Sequence, residues 1–82
     1  MDPIAAAHRL LDALGTPMAM ALVGPGGEAA DFVLQQGPVD EVLDVVMKRN
    51  LVFVSWRRGD RTGTWAFSFD REGRLAHWTS VV

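Results

Sequence analysis

The side chains best suited to acid–base chemistry near neutral pH are two histidines, His8 and His77. His77 lies among alternating apolar residues, where an enclosing cavity would let it act as a general base. The carboxylate that such a base needs would have to come from Asp12, Asp31 or Asp44, and no spacing in the sequence brings one of them to His77. His8 lies at the edge of a helical stripe. We therefore interpret both histidines as structural or surface residues and assign no catalytic residue.

Other kinds of reactive site have little support in the sequence. There is no cysteine, and two distant histidines do not supply the three or four ligands of a metal site. The glycine-rich segment 24–27 lacks the lysine and hydroxyl residue of a phosphate-binding loop and is typical of a turn. Ser55, Ser68 and Ser80 fall inside predicted strands, whereas a nucleophilic serine requires a sharp strand-to-helix turn. We expect neither a metal nor a cofactor.

Composition indicates a small globular domain. The 82 residues are 49% hydrophobic and 22% charged, with a formal net charge of -2, which excludes a disordered tail and a strongly basic nucleic-acid coat. The length predicts one domain over 1–82, and a domain of this size buries only about 60–65% of its unfolded surface, so a partner would add stability. The first charge is acidic and no segment approaches the roughly 20 apolar residues of a membrane span, so we expect a cytoplasmic chain.

Two segments carry helix signals. Asp2 before Pro3 predicts an N-cap and a helix over 3–14, which Gly15 ends in a left-handed conformation. A second proline-initiated stripe, with apolar residues spaced by three and four, predicts a helix over 38–49.

The remaining segments predict strands. Segments 17–23 and 29–36 flank the glycine-rich turn and predict a hairpin. Three antiparallel strands are predicted over 51–57, 63–70 and 74–82. The predicted fold class is α+β, with a single antiparallel sheet of about five strands and two helices in the order αββαβββ.

Alternation along the strands divides the predicted sheet into two faces. The register after the last turn gives three facing pairs: Phe69 with Leu75, Phe67 with His77, and Ala66 with Trp78. A further contact is expected between Trp56 and Trp65. One face is then densely apolar and suited to covering by helices. The other face carries small residues, an arginine and two large aromatics: Phe53, Ser55, Arg57, Ala66, Ser68, Ala76 and Trp78.

These seven residues form the predicted partner-binding surface. Exposed aromatic side chains among small residues are typical of a protein interface. We therefore expect a non-enzymatic interaction module that self-associates, as a homodimer, or docks a protein partner. The alternative is that one helix covers each face, in which case Phe53 and Trp78 belong to the core.

A rival hypothesis is a pocket for a small apolar molecule, with binding or simple isomerase- or cyclase-type chemistry. Its lining would be Met20, Trp56, Trp65, Phe67 and His77. A third hypothesis is single-stranded nucleic-acid binding through Phe53, Trp78 and Arg57, against which the acidic net charge argues.

Two resemblances bear on these hypotheses. The segment from Phe67 to Trp78 resembles the last hairpin of nuclear-transport-factor-like domains, which implies a cone-shaped pocket domain of a class that includes isomerases, cyclases and dimerisation modules. The predicted element order is similar to that of the roadblock family of dimeric adaptor domains, which implies pairing and docking to other proteins. Neither resemblance assigns a functional residue.

Overall fold

A computed structural model describes residues 2–25 and 27–81, and it shows an α+β fold with a single antiparallel sheet. The helices are α1 (Pro3–Ala13), a 3-10 helix (Pro17–Leu22) and α2 (Gly27–Gln35). The strands are β1 (Glu41–Lys48), β2 (Leu51–Arg58), β3 (Arg61–Phe69) and β4 (Leu75–Val81). They pair in chain order, so the sheet is a four-stranded meander rather than one of about five strands.

The first helix forms as predicted. The Asp2 carboxylate accepts a hydrogen bond from the Ile4 backbone N–H at 3.0 Å, and Pro3 occupies the first turn, where its missing N–H costs nothing. Gly15 follows the helix with φ of 85°, a conformation that favours glycine. The buried side of α1 carries Ala6, Ala7, Leu10 and Leu11.

The predicted hairpin of 17–23 with 29–36 is wrong, because both segments are helical. Thr16 caps the 3-10 helix by accepting a hydrogen bond from the Met18 N–H at 3.2 Å. In α2 the buried residues Ala29 and Phe32 lie three apart, which is helical spacing. The Asp-Phe-Val-Leu-Gln run is short enough to suit either structure, and the two alanines before it favour the helix.

The predicted helix over 38–49 is also wrong, because this segment forms β1. The spacing of its apolar residues fits a helix, but three of the five apolar residues of β1 are valines, whose branched side chains favour strands. Pairing with β2 decides the outcome, and Arg49 takes a positive φ of 57° in the turn that joins the two strands. The element order is therefore three helical segments followed by four strands.

The last three strands are confirmed, with small changes at their ends. In the turn between the last two strands, Gly73 adopts a φ of 80°, which favours glycine, and the Asp70 N–H donates to the Arg74 carbonyl at 2.9 Å. Val82, at the end of the last predicted strand, lies outside the described residues, as do Met1 and Gly26.

The register of β3 and β4 departs from the prediction after its first pair. Phe69 does pair with Leu75, but Ala76 is an extra residue in β4, so a bulge follows. Beyond it Phe67 pairs with Trp78 and not with His77, and Ala66 pairs with Thr79 and not with Trp78. A single inserted residue moves each later β4 side chain to the other face.

The core lies between the helices and the sheet, and Phe32 of α2 is at its centre. Its ring is fully buried and lies 5.0 Å from Trp65, 5.1 Å from Phe67 and 5.1 Å from Trp78. The rings of Trp56 and Trp65 are in contact, with centroids 4.9 Å apart, although in the strand register Trp56 pairs with Gly63 and Trp65 pairs with Val54. Within the described residues, no helix has the length and hydropathy needed to cross a bilayer.

Candidate interaction surface

The helices cover one face of the sheet and leave the other uncovered. Along β2, Val52, Val54 and Trp56 are buried, while the residues between them are only half-buried. Helix α1 packs against β1, β2 and β3, and α2 packs against β4. We call the uncovered side the open face. Strand register places two central rows on it: Val46, Phe53, Ala66 and Thr79, followed by Asp44, Ser55, Thr64 and Val81.

Small side chains occupy the middle of the open face. Ser55 and Thr64 face each other across β2 and β3, with their hydroxyl oxygens 3.4 Å apart, and Ala66 lies next to them on β3. Larger apolar side chains stand around these small ones and are substantially exposed: Val46 at 43%, Leu51 at 40% and Val81 at 42%. The surface is therefore a shallow trough with apolar sides.

Two depressions flank Leu51. One of about 180 Å³ is lined by Leu51, Ala66, Ser68, His77, Trp78 and Thr79. The other, of about 400 Å³, is lined by Lys48, Arg49, Leu51 and Phe53. Apolar surface thus extends from β1 across the sheet to β4.

Five of the seven predicted partner-binding residues lie together on the open face. Their strand positions place them on the side of Phe53, in agreement with the predicted alternation: Phe53, Ser55, Arg57, Ala66 and Ser68. Ala76 lies at the bulge of β4.

Trp78 is not grouped with Phe53, contrary to the predicted division of faces. The bulge at Ala76 places Trp78 opposite Phe67, on the side that the helices cover. Its Nε1 donates a hydrogen bond to the Glu28 carbonyl at 3.2 Å, and its ring packs against Phe32. Trp78 contributes to the lining of the smaller depression, but its ring packs between β4 and α2.

The arginine at the end of the open face has partners within the chain. Arg57 donates from Nε to the Glu41 carboxylate at 3.2 Å and from Nη1 to the Gly59 carbonyl at 2.9 Å. Because Trp78 lies on the other side, the aromatic pair that the nucleic-acid hypothesis needs beside Arg57 is not assembled.

His77 lies at the rim of the open face, where it is paired with α2. Its Nδ1 lies 3.0 Å from Glu28 Oε2, and its side chain is 69% exposed. Ser68 pairs with His77 across the strands. The Glu28 carboxylate, the His77 imidazole and the Ser68 hydroxyl are therefore neighbours in space, in that order. Among the described residues no hydrogen bond joins Ser68 Oγ to His77, and a nucleophilic triad requires that bond. We interpret the pair as a contact that fastens α2 to the edge of the sheet.

The five residues of the predicted pocket are not brought around one opening. Trp65 and Phe67 are completely enclosed in the core, and Trp56 is nearly so. Met20 is 46% exposed on the 3-10 helix, and His77 lies on the other side of the sheet. The ring of Phe32 packs on Trp65 and Phe67, in the space where the ligand would bind.

Sequence reasoning did not place Val46 and Leu51 on the open face. Val46 was assigned to a helix, and Leu51 was left out although it continues the alternation of Phe53 and Ser55. The alternating pattern could have identified Leu51. Only the pairing of β1 with β2 shows where Val46 points.

No metal centre is formed by the described part of the chain, where no three His, Asp or Glu side chains converge. Comparison with family models, curated proteins and solved structures found no match to this chain.

Proposed function

We propose that the chain is a small non-enzymatic interaction module that docks a protein partner on its open face. One observation carries the proposal: a sheet with helices on one side only leaves Val46, Leu51, Phe53 and Val81 around a trough of small residues on the other. Contiguous exposed apolar surface with polar groups at its rim is the usual character of an interaction site.

The size of the domain supports the same conclusion. An 82-residue chain has room for one hydrophobic core, and here that core lies wholly between the helices and the sheet. The apolar side chains of the open face therefore add nothing to that core. Covering them with a partner removes apolar surface from water, at about 25 cal/mol for each Å² buried.

The shape of the open face indicates what kind of partner surface fits. The central residues Ser55, Thr64 and Ala66 are short, so a ridge of apolar side chains can approach the strands closely. Phe53 stands beside this trough as the one large aromatic ring in the central row. Aromatic residues at the centre of an interface often contribute most of its binding energy.

Site-specific photocross-linking tests the proposal. A photoreactive phenylalanine analogue replaces Phe53 in the full chain, in cells that carry the protein, and a second variant carries it at Arg71 in the β3–β4 turn. We expect a discrete cross-linked product from position 53 and none from position 71. A product of twice the mass of the chain identifies a second copy as the partner.

The companion measurement asks whether the contact depends on apolar character. Phe53→Asp, combined with a cross-linker at Val46, is expected to abolish the product, whereas Phe53→Leu is expected to retain it. The same yield from position 71 as from position 53 contradicts the proposal. So does an unchanged product in Phe53→Asp.

A further inference from the structure

The two edges of the sheet differ in how far the rest of the chain covers them. Along β4, the Gly24 N–H donates to the Leu75 carbonyl at 2.7 Å, and Val23 forms a parallel bridge to Leu75. Further along, Trp78 and His77 are both held by Glu28 of α2. Helix α2 and the segment before it therefore cover much of this edge.

The edge formed by β1 has no such cover. Within residues 2–25 and 27–81, β2 is the only strand paired with β1, and no backbone hydrogen bond reaches β1 from another segment on its outer side. Its eight residues contain no proline, and five of them are apolar. A long exposed apolar edge strand offers unpaired N–H and C=O groups to another strand.

The sequence of β1 is complementary to itself in the antiparallel direction. It begins with Glu41 and ends with Lys48, and both side chains lie on the open face, opposite Arg57 and Leu51 of β2. When two copies of β1 run antiparallel, the first residue of each lies beside the last residue of the other. Each Glu41 then faces a Lys48, and the two-fold symmetry of a dimer makes this ion pair twice.

The bulge in β1 is consistent with that register. The shift between Val42 and Asp44 places Val42, Val45 and Met47 on the helix side and Asp44 and Val46 on the open face. With Val45 of both copies at the symmetry axis, Asp44 faces Val46. Beyond the bulge, Val42 faces Met47. Every pair then joins two residues of the same face, as antiparallel pairing requires.

We propose that a second copy of this chain pairs with the first along β1, with Val45 at the two-fold axis and Glu41 opposite Lys48 of the second copy. Two four-stranded sheets become one antiparallel sheet of eight strands. All helices lie on one side, and the two open faces join into a single wide surface. This pairing does not depend on the proposed docking function, because it uses the edge of the sheet and not the open face.

Charge exchange on the full chain tests the pairing by analytical ultracentrifugation over a range of concentrations. Lys48→Glu and Glu41→Lys each place like charges opposite each other twice, and we expect each to weaken dimerisation by about tenfold. The double variant Glu41→Lys/Lys48→Glu restores opposite charges across the interface and is expected to recover most of the affinity. Urea unfolding of each variant measures separately how much stability is lost with the Glu41–Arg57 ion pair of the single chain.

A disulfide cross-link tests whether Val45 lies at the two-fold axis. The chain contains no cysteine, so Val45→Cys introduces a single thiol, which is expected to form a disulfide between two copies on mild oxidation. Thr79→Cys, on the other edge strand, is the matched control and is expected to remain largely reduced. A wild type that stays monomeric at the highest concentration overturns the proposal, and so does an association that the charge variants leave unchanged. If Phe53→Asp removes self-association and the charge variants do not, the dimer forms through the open face, the edge pairing is wrong and the docking function stands.

Discussion

Gly63 of β3 lies directly opposite Trp56 of β2, and the indole ring of Trp56 fills the space that a side chain at Gly63 would occupy. A Cβ added to Gly63 would lie 2.5 Å from Cζ2 of that ring. The Arg58 guanidinium lies over the Trp56 ring, with its carbon 5.0 Å from the ring centroid. The glycine thus allows a large aromatic side chain to lie flat across the sheet.

Gly63→Ala is expected to destabilise the protein by about 1–3 kcal/mol, because the added methyl group pushes Trp56 out of its position. Urea unfolding followed by tryptophan fluorescence measures the change. Gly37→Ala is the matched control, since a Cβ there meets nothing within 4 Å. The control should be neutral or slightly stabilising. Equal stability of both variants would show that Trp56 does not occupy this position.

Phe32→Ala is expected to cost about 3–5 kcal/mol, because it leaves a cavity among the rings of Trp65, Phe67 and Trp78. A loss of that size approaches the whole stability of a small domain, so the variant should be largely unfolded at room temperature. Circular dichroism and urea titration check this. Leu34→Ala, on the same helix but 75% exposed in the wild type, should change stability by less than about 0.5 kcal/mol.

Substituting aspartate for either of two aromatic residues distinguishes the two sides of the sheet. Trp78→Asp is expected to lower the free energy of unfolding by about 3 kcal/mol or more, because a charge replaces a ring that packs on Phe32. Phe53→Asp should cost less, about 1–2 kcal/mol, because its side chain is only half-buried on the open face and lies outside the core between the helices and the sheet. Thermal and urea unfolding measure both variants. The reverse order of stabilities would mean that the register beyond Ala76 is wrong.

Asp70 makes stability depend on pH at the acid end. The backbone N–H of Arg74 donates to its carboxylate at 2.9 Å and, together with the nearby Arg74 guanidinium and the Glu72 N–H, holds the pKa of Asp70 below its ordinary value of 3.8. Burial opposes this lowering but does not cancel it. The carboxylate therefore stabilises the fold above about pH 3.8, and that contribution is lost as the pH falls through the lowered pKa.

Asp70→Asn should therefore be less stable than the wild type near neutral pH, and the difference should shrink below about pH 3.8. Urea midpoints measured from pH 7 to pH 2 check the prediction. Asp60→Asn removes the same charge from the exposed β2–β3 turn and serves as the control. A stability difference that stays constant over this range would contradict the role given to the Asp70 carboxylate.

The parts of the fold that sequence reasoning predicted are those whose local signals agree with one another. Asp2, Pro3 and Gly15 mark both ends of α1, and alternation between clear turns marks β2 and β3. In such segments the local sequence determines where the helix or strand begins and ends. Pairing with distant residues leaves these boundaries unchanged.

The parts that failed depend on distant residues. The valines and the helical spacing of 42–47 favour opposite structures, and the neighbouring strand β2 decides between them. The position of Trp78 depends on one extra residue at Ala76, which no pattern in the sequence marks. The open face was therefore half predicted: its β2 and β3 residues follow from alternation, whereas the contributions of β1 and β4 follow from pairing.

The separation of the two layers along the chain has a consequence for folding during synthesis. All helical segments precede residue 36 and all strands follow residue 40, so the helical half leaves the ribosome before any strand exists to cover it. At a synthesis rate of about 5–20 residues per second, Trp65 and Trp78 leave the ribosome seconds after Phe32 does. During this interval the apolar sides of the nascent helices are exposed to solvent. A chaperone that binds short apolar segments is therefore able to bind them.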